Sequence, residues 1–448
     1  MKRRCSLRID LLTKESSVSW QVFDRLTGVN DGITRTITAT KQPDPQKIID
    51  SFNNAVTKAH ECCNYQVGLG FLQAWGSNAC KEIFPDEITR KLSTYDCGDI
   101  LFMVPLGWAD FPFELIYLQK RFLGQRFHIG TIINTGAPQG PEKQYNHGGD
   151  LMIIVDSSDR LRSTCCEGEN LKNNAKSRKR QVRLLMQADR EKLFAGIPRA
   201  SIVHFAGHSG PDHEYDKAGW VLGNGKYFST DDIMKIGESP VLPWLVFSNS
   251  CNAGKILVNS GLSGIAGAFL SAGIHQVVGP FCKLNDIQAK YCTSFFYKFL
   301  FKGQSASQAL VSLRKMCPWE AGLTPLFYRL FGDPLYREST KKSLWRQVFF
   351  FLSIITAILF SLAAGINHLH QKISSARNTE VNDKIEKNTE KPGGIIFDLN
   401  VGDGLIHFSV NLYAPAFIYK APESNHSSEL QQQSDSKAFI DDTAVSDP

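Results

Sequence analysis

Two short apolar runs in the middle of the chain, each closed by a turn that carries a reactive side chain, constrain the fold most strongly. Residues 202–206 lead into Gly207 and His208, and residues 244–248 lead through an Asn-Ser pair to Cys251. Runs of β-branched and aromatic residues that end in Gly, Asn and Ser are typical of buried strands. In open α/β sheets, reacting groups lie beyond the carboxyl ends of such strands. The sequence therefore predicts an α/β fold in which His208 and Cys251 lie at one sheet edge.

His208 and Cys251 are the two residue types that form a cysteine nucleophile. The thiolate is the reactive form of cysteine, and a neighbouring imidazole can accept its proton. Each residue alone has an ordinary structural interpretation, because a cysteine behind a strand is usually buried and inert and a histidine after glycine is usually a turn residue. Their occurrence as a pair in two similar turns favours a catalytic dyad.

The segments around both turns resemble the CHAT domain, a family of caspase-like cysteine peptidases related to separases and caspases. The likeness spans residues 100 to 336. Its motifs are VHFAGH at 203–208, FSNSCNAG at 247–254, AGIHQVVGP at 272–280, YRLFGDP at 328–334, and the upstream FPFEL at 111–115 and FLGQRF at 122–127.

The resemblance implies a caspase-like three-layer sandwich with a mostly parallel sheet. Its amino-terminal pseudo-caspase half would be residues 1–147 and its catalytic half residues 148–338. In this family the cysteine, here Cys251, attacks a peptide carbonyl and the histidine, here His208, accepts and returns the proton. Backbone N–H groups of Cys251 and Ser209 would hold the oxyanion. The family usually has glycine after the histidine, and Ser209 would cost about 1 kcal/mol if that position required a positive φ.

Two acidic residues are candidates for substrate binding. Asp286 lies in the turn that resembles the arginine-binding turn of separases, and Asp156 follows a predicted strand at the cleft edge. If Asp286 selects arginine or lysine, the basic stretch at 176–183 becomes a candidate self-cleavage site. The same stretch is also interpreted as a patch for nucleic acid or an acidic partner, as a protease-sensitive activation loop, or as a solvated loop or helix face.

Composition limits the other classes of function. A net charge of +6 over 448 residues does not indicate a dedicated nucleic-acid binder. The 11 cysteines contain no C-x-x-C motif, which fits a reducing compartment and gives no zinc spacing. The His- and Asp-containing insert at 212–216 and 231–232 lacks the spacing of a metal loop. No cofactor and no metal are expected, and His204, inside its strand, is predicted to be a packed core residue.

The carboxy-terminal part predicts attachment to a membrane. Residues 348–366 carry no charge, and a helix over 346–367 is long enough to cross a hydrocarbon core of about 30 Å. Lys and Arg lie before this segment and acidic residues accumulate after it. The positive-inside rule therefore places the catalytic part in the cytoplasm and the tail outside a single-pass plasma (inner) membrane protein.

Beyond the span we predict a polar linker at 368–394, a small β element at 395–421 and a disordered tail at 422–448. The β element is too short for a core of its own and is expected to need an activator or tail-binding partner.

Two functions of the protein stay open. One is a membrane-anchored endopeptidase that cleaves a cytoplasmic protein, by family analogy in a regulated defence or cell-death pathway. The other is a catalytically silent scaffold at the membrane.

Overall fold

A computed structural model describes residues 3–14, 17–24, 35–38, 43–62, 64–135, 143–156, 162–212, 217–222, 225–256, 262–316, 319–338, 344–379, 395–402 and 405–412. The strands are β1 (Arg4–Lys14), β2 (Ser17–Asp24), β3 (Arg35–Thr38), β4 (Cys97–Pro105), β5 (Tyr117–Leu118), β6 (Arg121–Phe122), β7 (Phe127–Asn134), β8 (Gln144–Asn146), β9 (Asp150–Val155), β10 (Val182–Leu185), β11 (Ala200–Ala206), β12 (Ser209–Asp212), β13 (Lys217–Val221), β14 (Tyr227–Ser229), β15 (Val241–Pro243), β16 (Leu245–Asn249), β17 (Gln276–Pro280), β18 (Tyr328–Phe331), β19 (Ile395–Gly402) and β20 (Leu405–Leu412). The helices are α1 (Pro45–Glu61), α2 (Tyr65–Ile83), α3 (Asp86–Ser93), α4 (Leu123–Arg126), α5 (Arg162–Ser177), α6 (Arg190–Gly196), α7 (Thr230–Ile236), α8 (Gly264–Ser271), α9 (Asp286–Leu300), α10 (Ala306–Met316) and α11 (Leu344–Thr379).

A mostly parallel sheet organises the larger part of the chain. Within the described ranges it has eleven strands in the order β10-β9-β11-β16-β17-β18-β7-β4-β1-β2-β3. Neighbours from β10 to β17 are parallel, β18 runs antiparallel to β17, and the series from β18 to β1 is parallel again. The predicted α/β class with a mostly parallel sheet is confirmed.

The strands of the carboxy-terminal half of this sheet are buried on both faces. Side chains alternate along a strand, so Met152 and Ile154 of β9 enter one core while Ile153 enters the other. The first core also contains side chains from α7 and α8, and the second contains side chains from α5, α9 and α10. Burial on both faces explains why these strands are continuous apolar runs in the sequence.

The sheet continues without a break from residues before 148 to residues after it. β18 pairs with β7, and the Gly332 N–H donates to the Thr131 carbonyl at 2.9 Å. A Cβ on Gly130 would lie 2.2 Å from the Gly332 carbonyl oxygen, so this seam requires glycine. Strands of both predicted halves, 1–147 and 148–338, thus share one sheet.

The basic stretch at 176–183 begins at the end of α5, continues through a turn at 178–181 and ends in β10. Arg180 forms a salt bridge with Glu338, and Arg183 forms one with Asp150 at 2.6 Å. Lys176 and Lys179 remain exposed. An exposed helix end and the turn that follows it therefore make up this stretch, and self-cleavage there stays a prediction.

The carboxy-terminal unit begins at Ser353. In α11, residues Leu352–Leu369 are long and apolar enough, by length and composition, to cross a membrane, and their side chains are exposed. The helix continues to Thr379, because no proline or glycine follows Gly365 within it, so the first part of the predicted linker at 368–394 is helical. β19 and β20 form an antiparallel hairpin inside the predicted β element at 395–421. The predicted disordered tail, 422–448, lies outside the described residues.

Candidate active site

The turn after β11 presents His208. Gly207 has to be small, because a Cβ there would lie 2.5 Å from the Cβ of Asp156. The His208 N–H donates to Asp156 Oδ2 at 3.4 Å, and the His208 carbonyl accepts the Val221 N–H at 2.9 Å. The backbone of His208 is therefore held from both sides.

The His208 imidazole has a ring nitrogen without a hydrogen bond. Its Nε2 atom is shielded from solvent and has no hydrogen-bond partner among the described residues. An unpaired buried polar atom is costly in a folded protein and calls for an explanation, often a catalytic one.

The turn after β16 presents Cys251. Asn252 adopts a φ of 57°, a left-handed conformation that asparagine tolerates better than most residues. Its N–H donates to the Cys282 carbonyl at 3.1 Å. The Leu284 N–H points to Cys251 Sγ at 3.4 Å, which gives a thiolate at this position a hydrogen-bond donor.

One cavity brings the two turns together. It has a volume of about 540 Å³, within the usual range of ligand pockets. Its lining includes both predicted catalytic side chains. The lining residues are His208, Ser209, Gly210, Ala218, Cys251, Asn252, Lys255, Gly264, Ile265 and Lys283.

Ser209 fits this site without backbone strain. It begins β12, and its φ is not positive. Its pairing with Trp220, together with the bond from the Val221 N–H to the His208 carbonyl, makes Ser209 and Trp220 a non-hydrogen-bonded pair. The Ser209 N–H therefore faces away from β13. The Ser209 hydroxyl donates to the Cys251 carbonyl and ties the two turns together.

A buried polar network supports the cysteine turn. Asn249, the last residue of β16, donates through Nδ2 to both carboxylate oxygens of Glu167, at 2.8 and 3.0 Å. Glu167 Oε1 also lies 2.9 Å from His204 Nε2 and accepts from the Thr293 hydroxyl at 2.8 Å. The Tyr328 hydroxyl donates to Asn249 Oδ1 at 2.5 Å. These hydrogen bonds meet at Asn249, two residues before Cys251. They connect five elements: β11, β16, β18, α5 and α9.

A second set of contacts supports the same turn from the other face of the sheet. The Trp220 indole N–H donates to the Ser248 hydroxyl at 2.8 Å, and this hydroxyl lies 3.0 Å from that of Ser250. All three side chains are buried. The strand that pairs with Ser209 is thus linked, through the Ser248 hydroxyl, to the residue immediately before Cys251.

Asp156 and Asp286 do not line the cavity. Asp156 is fully buried and lies beneath the His208 turn, so it supports that turn and has no exposed surface for a substrate. Asp286 Oδ2 accepts the N–H of Ser163 at 3.0 Å, in the first turn of α5. Asp156 therefore supports the histidine turn in place of the substrate contact expected from the sequence, whereas substrate binding by the partly exposed Asp286 stays a prediction.

A second thiol lies next to the cysteine turn. Cys282 Sγ is 3.6 Å from His60 Nε2. Burial raises the pKa of the Cys282 thiol well above its ordinary value, and burial lowers the pKa of His60. Cys282 is therefore a neutral thiol at physiological pH, unsuited to act as a nucleophile.

Within the described ranges, no group of three or more His, Cys, Asp or Glu side chains could hold a metal ion. Of the acidic insert, residues 213–216 lie outside the described part. Asp232 is buried, forms a salt bridge with Arg190 and belongs to the capping box of α7.

Sequence reasoning missed Glu167, Asn249, Lys255 and Lys283. Glu167 is the one acidic residue that faces inward from a polar helix, and its partners lie far away in sequence, with Asn249 82 positions on. The two lysines had a detectable signal, since each lies within a few residues of a motif resembling the CHAT domain.

Replacing Asn249 tests the network below the cysteine turn. Asn249→Ala leaves Glu167 with fewer donors and the Tyr328 hydroxyl without its acceptor, and we expect the free energy of unfolding to fall by roughly 2 to 4 kcal/mol. Chemical denaturation of the full chain in detergent, followed by tryptophan fluorescence, measures the change. The control Asn173→Ala, at an exposed position of α5, should change stability by less than about 0.5 kcal/mol. Equal effects of the two substitutions would contradict a structural role for Asn249.

Comparison with known proteins agrees with the resemblance seen in the sequence. The profile of the CHAT domain matches residues 82–317, more than half of the 448 residues. A search of curated proteins gives no match.

Among solved structures, two of the Saccharomyces cerevisiae separase–securin complex, at 2.6 and 3.0 Å resolution, are similar to this chain with TM-scores of 0.49 and 0.48. The identity is 10% in both, and the likeness covers 74% of this chain but 30% of the chain it matches. The profile match over residues 82–317 places the protein in a known family: this chain belongs to the CHAT domain family.

Proposed function

We propose that the protein is a cysteine endopeptidase in which Cys251 is the nucleophile and His208 is the proton acceptor and donor. The observation that carries this proposal is the shared cavity, which both residues line. Membership of the CHAT family supports a peptidase-like domain.

The reaction follows from the roles of these two side chains. Cys251 Sγ transfers its proton to the His208 imidazole and forms a bond to the carbonyl carbon of the scissile peptide. His208 then gives the proton to the departing amine as the C–N bond breaks, which leaves a thioester on Cys251. A water molecule, deprotonated by His208, attacks the thioester and releases the acid product together with the free thiol.

The negative charge on the carbonyl oxygen requires hydrogen-bond donors. The backbone N–H groups of Ser209 and Cys251 are the proposed donors. No described residue accepts a hydrogen bond from the Cys251 N–H, and the Ser209 N–H faces away from β13. The hydroxyl of Ser209 holds the two donors in a fixed relation through the Cys251 carbonyl.

The alternative of a catalytically silent scaffold depended on Ser209 replacing the usual glycine. The extended backbone of Ser209 removes that objection, because serine adopts this conformation without strain. The enzyme is therefore the function that the geometry supports best.

The dyad is tested by peptide-bond cleavage. We expect purified full-length chain in detergent to generate new amino termini in a peptide library, detected by mass spectrometry, and we expect Cys251→Ala and His208→Ala each to abolish this cleavage. Cys282→Ala is the matched control: it removes the neighbouring thiol and should retain cleavage, because that thiol is buried and protonated. Cleavage that survives Cys251→Ala, or that is lost only in Cys282→Ala, would refute the assignment.

We further propose that α11 anchors the enzyme in a membrane, with the catalytic part and its protein substrate in the cytoplasm. The exposed apolar segment Leu352–Leu369 and the excess of Lys and Arg before it support this arrangement. The family resemblance is the basis for proposing a regulated defence or cell-death pathway as its setting.

The anchor predicts resistance to alkaline extraction. The full chain should stay with the membrane pellet after a carbonate wash. The double variant Ile358→Arg and Leu359→Arg should shift into the soluble fraction, because each arginine at the centre of a span costs about 2.5 to 3.5 kcal/mol. The conservative pair Ile358→Leu and Leu359→Ile serves as the control. Release of the unaltered chain by carbonate would contradict the anchor.

A further inference from the structure

We infer that the cavity selects substrates with an acidic side chain, Asp or Glu, next to the scissile bond, and that Lys255 and Lys283 recognise it. This inference rests on the proposed peptidase function and names the substrate class for the same site. It differs from the sequence-based expectation of a basic side chain bound by Asp286.

Both lysines belong to the immediate surroundings of the nucleophile. Lys255 lies in the turn that Cys251 begins, and its N–H donates to the Asn252 carbonyl at 2.9 Å. Lys283 directly precedes Leu284, whose N–H points to Cys251 Sγ at 3.4 Å. Both side chains line the cavity. A substrate whose carbonyl carbon reaches Cys251 Sγ therefore enters the cavity that both lysines line.

The charge of the cavity is one-sided. Among the described residues, its lining contains two lysines and no carboxylate. Neither lysine forms a salt bridge within the described part of the chain. Lys255 Nζ has a neutral neighbour, Asn53 Oδ1, at 3.5 Å. The ammonium groups of Lys255 and Lys283 can therefore form ion pairs with a ligand.

The nearby carboxylates are already engaged. Asp110 interacts electrostatically with Lys255, but burial raises its pKa, it accepts the Ile256 N–H at 2.6 Å, and Arg329 is a second cation in its surroundings. Asp286 caps the start of α5 through Ser163. Asp156 is fully buried beneath His208.

Electrostatics then decides between substrate classes. Charges of one sign in a concave, partly desolvated site concentrate their field and attract ligands of the opposite sign. The long lysine stems let both ammonium groups approach one carboxylate. An arginine or lysine side chain in the same place would meet two like charges, which disfavours it.

The test uses full-length chain in detergent and three peptidyl acyloxymethyl ketone probes that differ only in the residue next to the ketone. That residue is Asp, its neutral isostere Asn, or Arg. The second-order rate of covalent addition to Cys251, followed by intact mass, is the measured quantity. We expect the Asp probe to react about tenfold or more faster than the Asn probe, with the Arg probe slowest, and the difference should shrink at high salt.

Charge reversal assigns the preference to the two lysines. Lys255→Glu and Lys283→Glu should each remove or invert the preference for Asp over Asn. Lys298→Glu is the matched control, because Lys298 is an exposed lysine that lies about 18 Å along α9 from its first residue. It should leave all three rates unchanged.

The outcomes separate this inference from the proposed function. Labelling of Cys251 with equal Asp and Asn rates, or with Arg fastest, overturns the acidic preference and leaves the peptidase proposal standing. Absence of labelling by all three probes counts against the peptidase proposal. Equilibrium binding of the corresponding Asp and Asn peptides to the Cys251→Ala variant then decides the specificity: tighter binding of the Asp peptide supports the inference, and equal or undetectable binding overturns it.

Discussion

The Glu167 carboxylate, 2% exposed, is the group on which the arrangement of the site depends. A buried negative charge is tolerated only when several donors satisfy it. Asn249, Thr293 and His204 surround it from three different elements. The hydrogen bonds between Asn249 and the Glu167 carboxylate hold the end of β16 in place. Because Asn249 is two residues from Cys251, these bonds also fix where the cysteine turn begins. Rigid support of this kind is what a preorganised nucleophile needs.

Sheet topology provides the second constraint. β11 and β16 are parallel neighbours, and Ala206 is in register with Asn249. Their carboxyl ends therefore coincide, so the turns that carry His208 and Cys251 emerge side by side although the residues are distant in sequence. The short antiparallel sheet β12-β13-β14 follows directly and places Ser209 between them.

Much of this arrangement could be predicted from the sequence because it follows from local pattern. Apolar runs ending in glycine-bounded turns gave the strands β11 and β16, and the expected burial of His204 is confirmed at 0% exposure. The roles of Asp286 and Asp156 could not be predicted, because each is decided by a partner distant in the sequence: Ser163 for Asp286 and the His208 backbone for Asp156. The extended conformation of Ser209 depends on pairing with Trp220, which a family pattern of glycine at that position does not reveal.

The charge of the cavity is another property that sequence motifs do not contain. Lys255 and Lys283 become neighbours of one cavity only when the Cys251 turn packs against the residues after β17. Asp286 and Asp156 each accept a hydrogen bond from a backbone N–H, and neither lines the cavity.

Activation of Cys251 by His208 is measured most directly by the rate at which Cys251 reacts with iodoacetamide. This reagent is small and neutral, so the rate reports on the thiol without requiring substrate recognition. Peptide mapping of full-length chain at neutral pH should find Cys251 alkylated about 100-fold faster in the unaltered protein than in His208→Gln, since proton transfer to a positioned base contributes at least that much. Equal rates in the two proteins would contradict the claim.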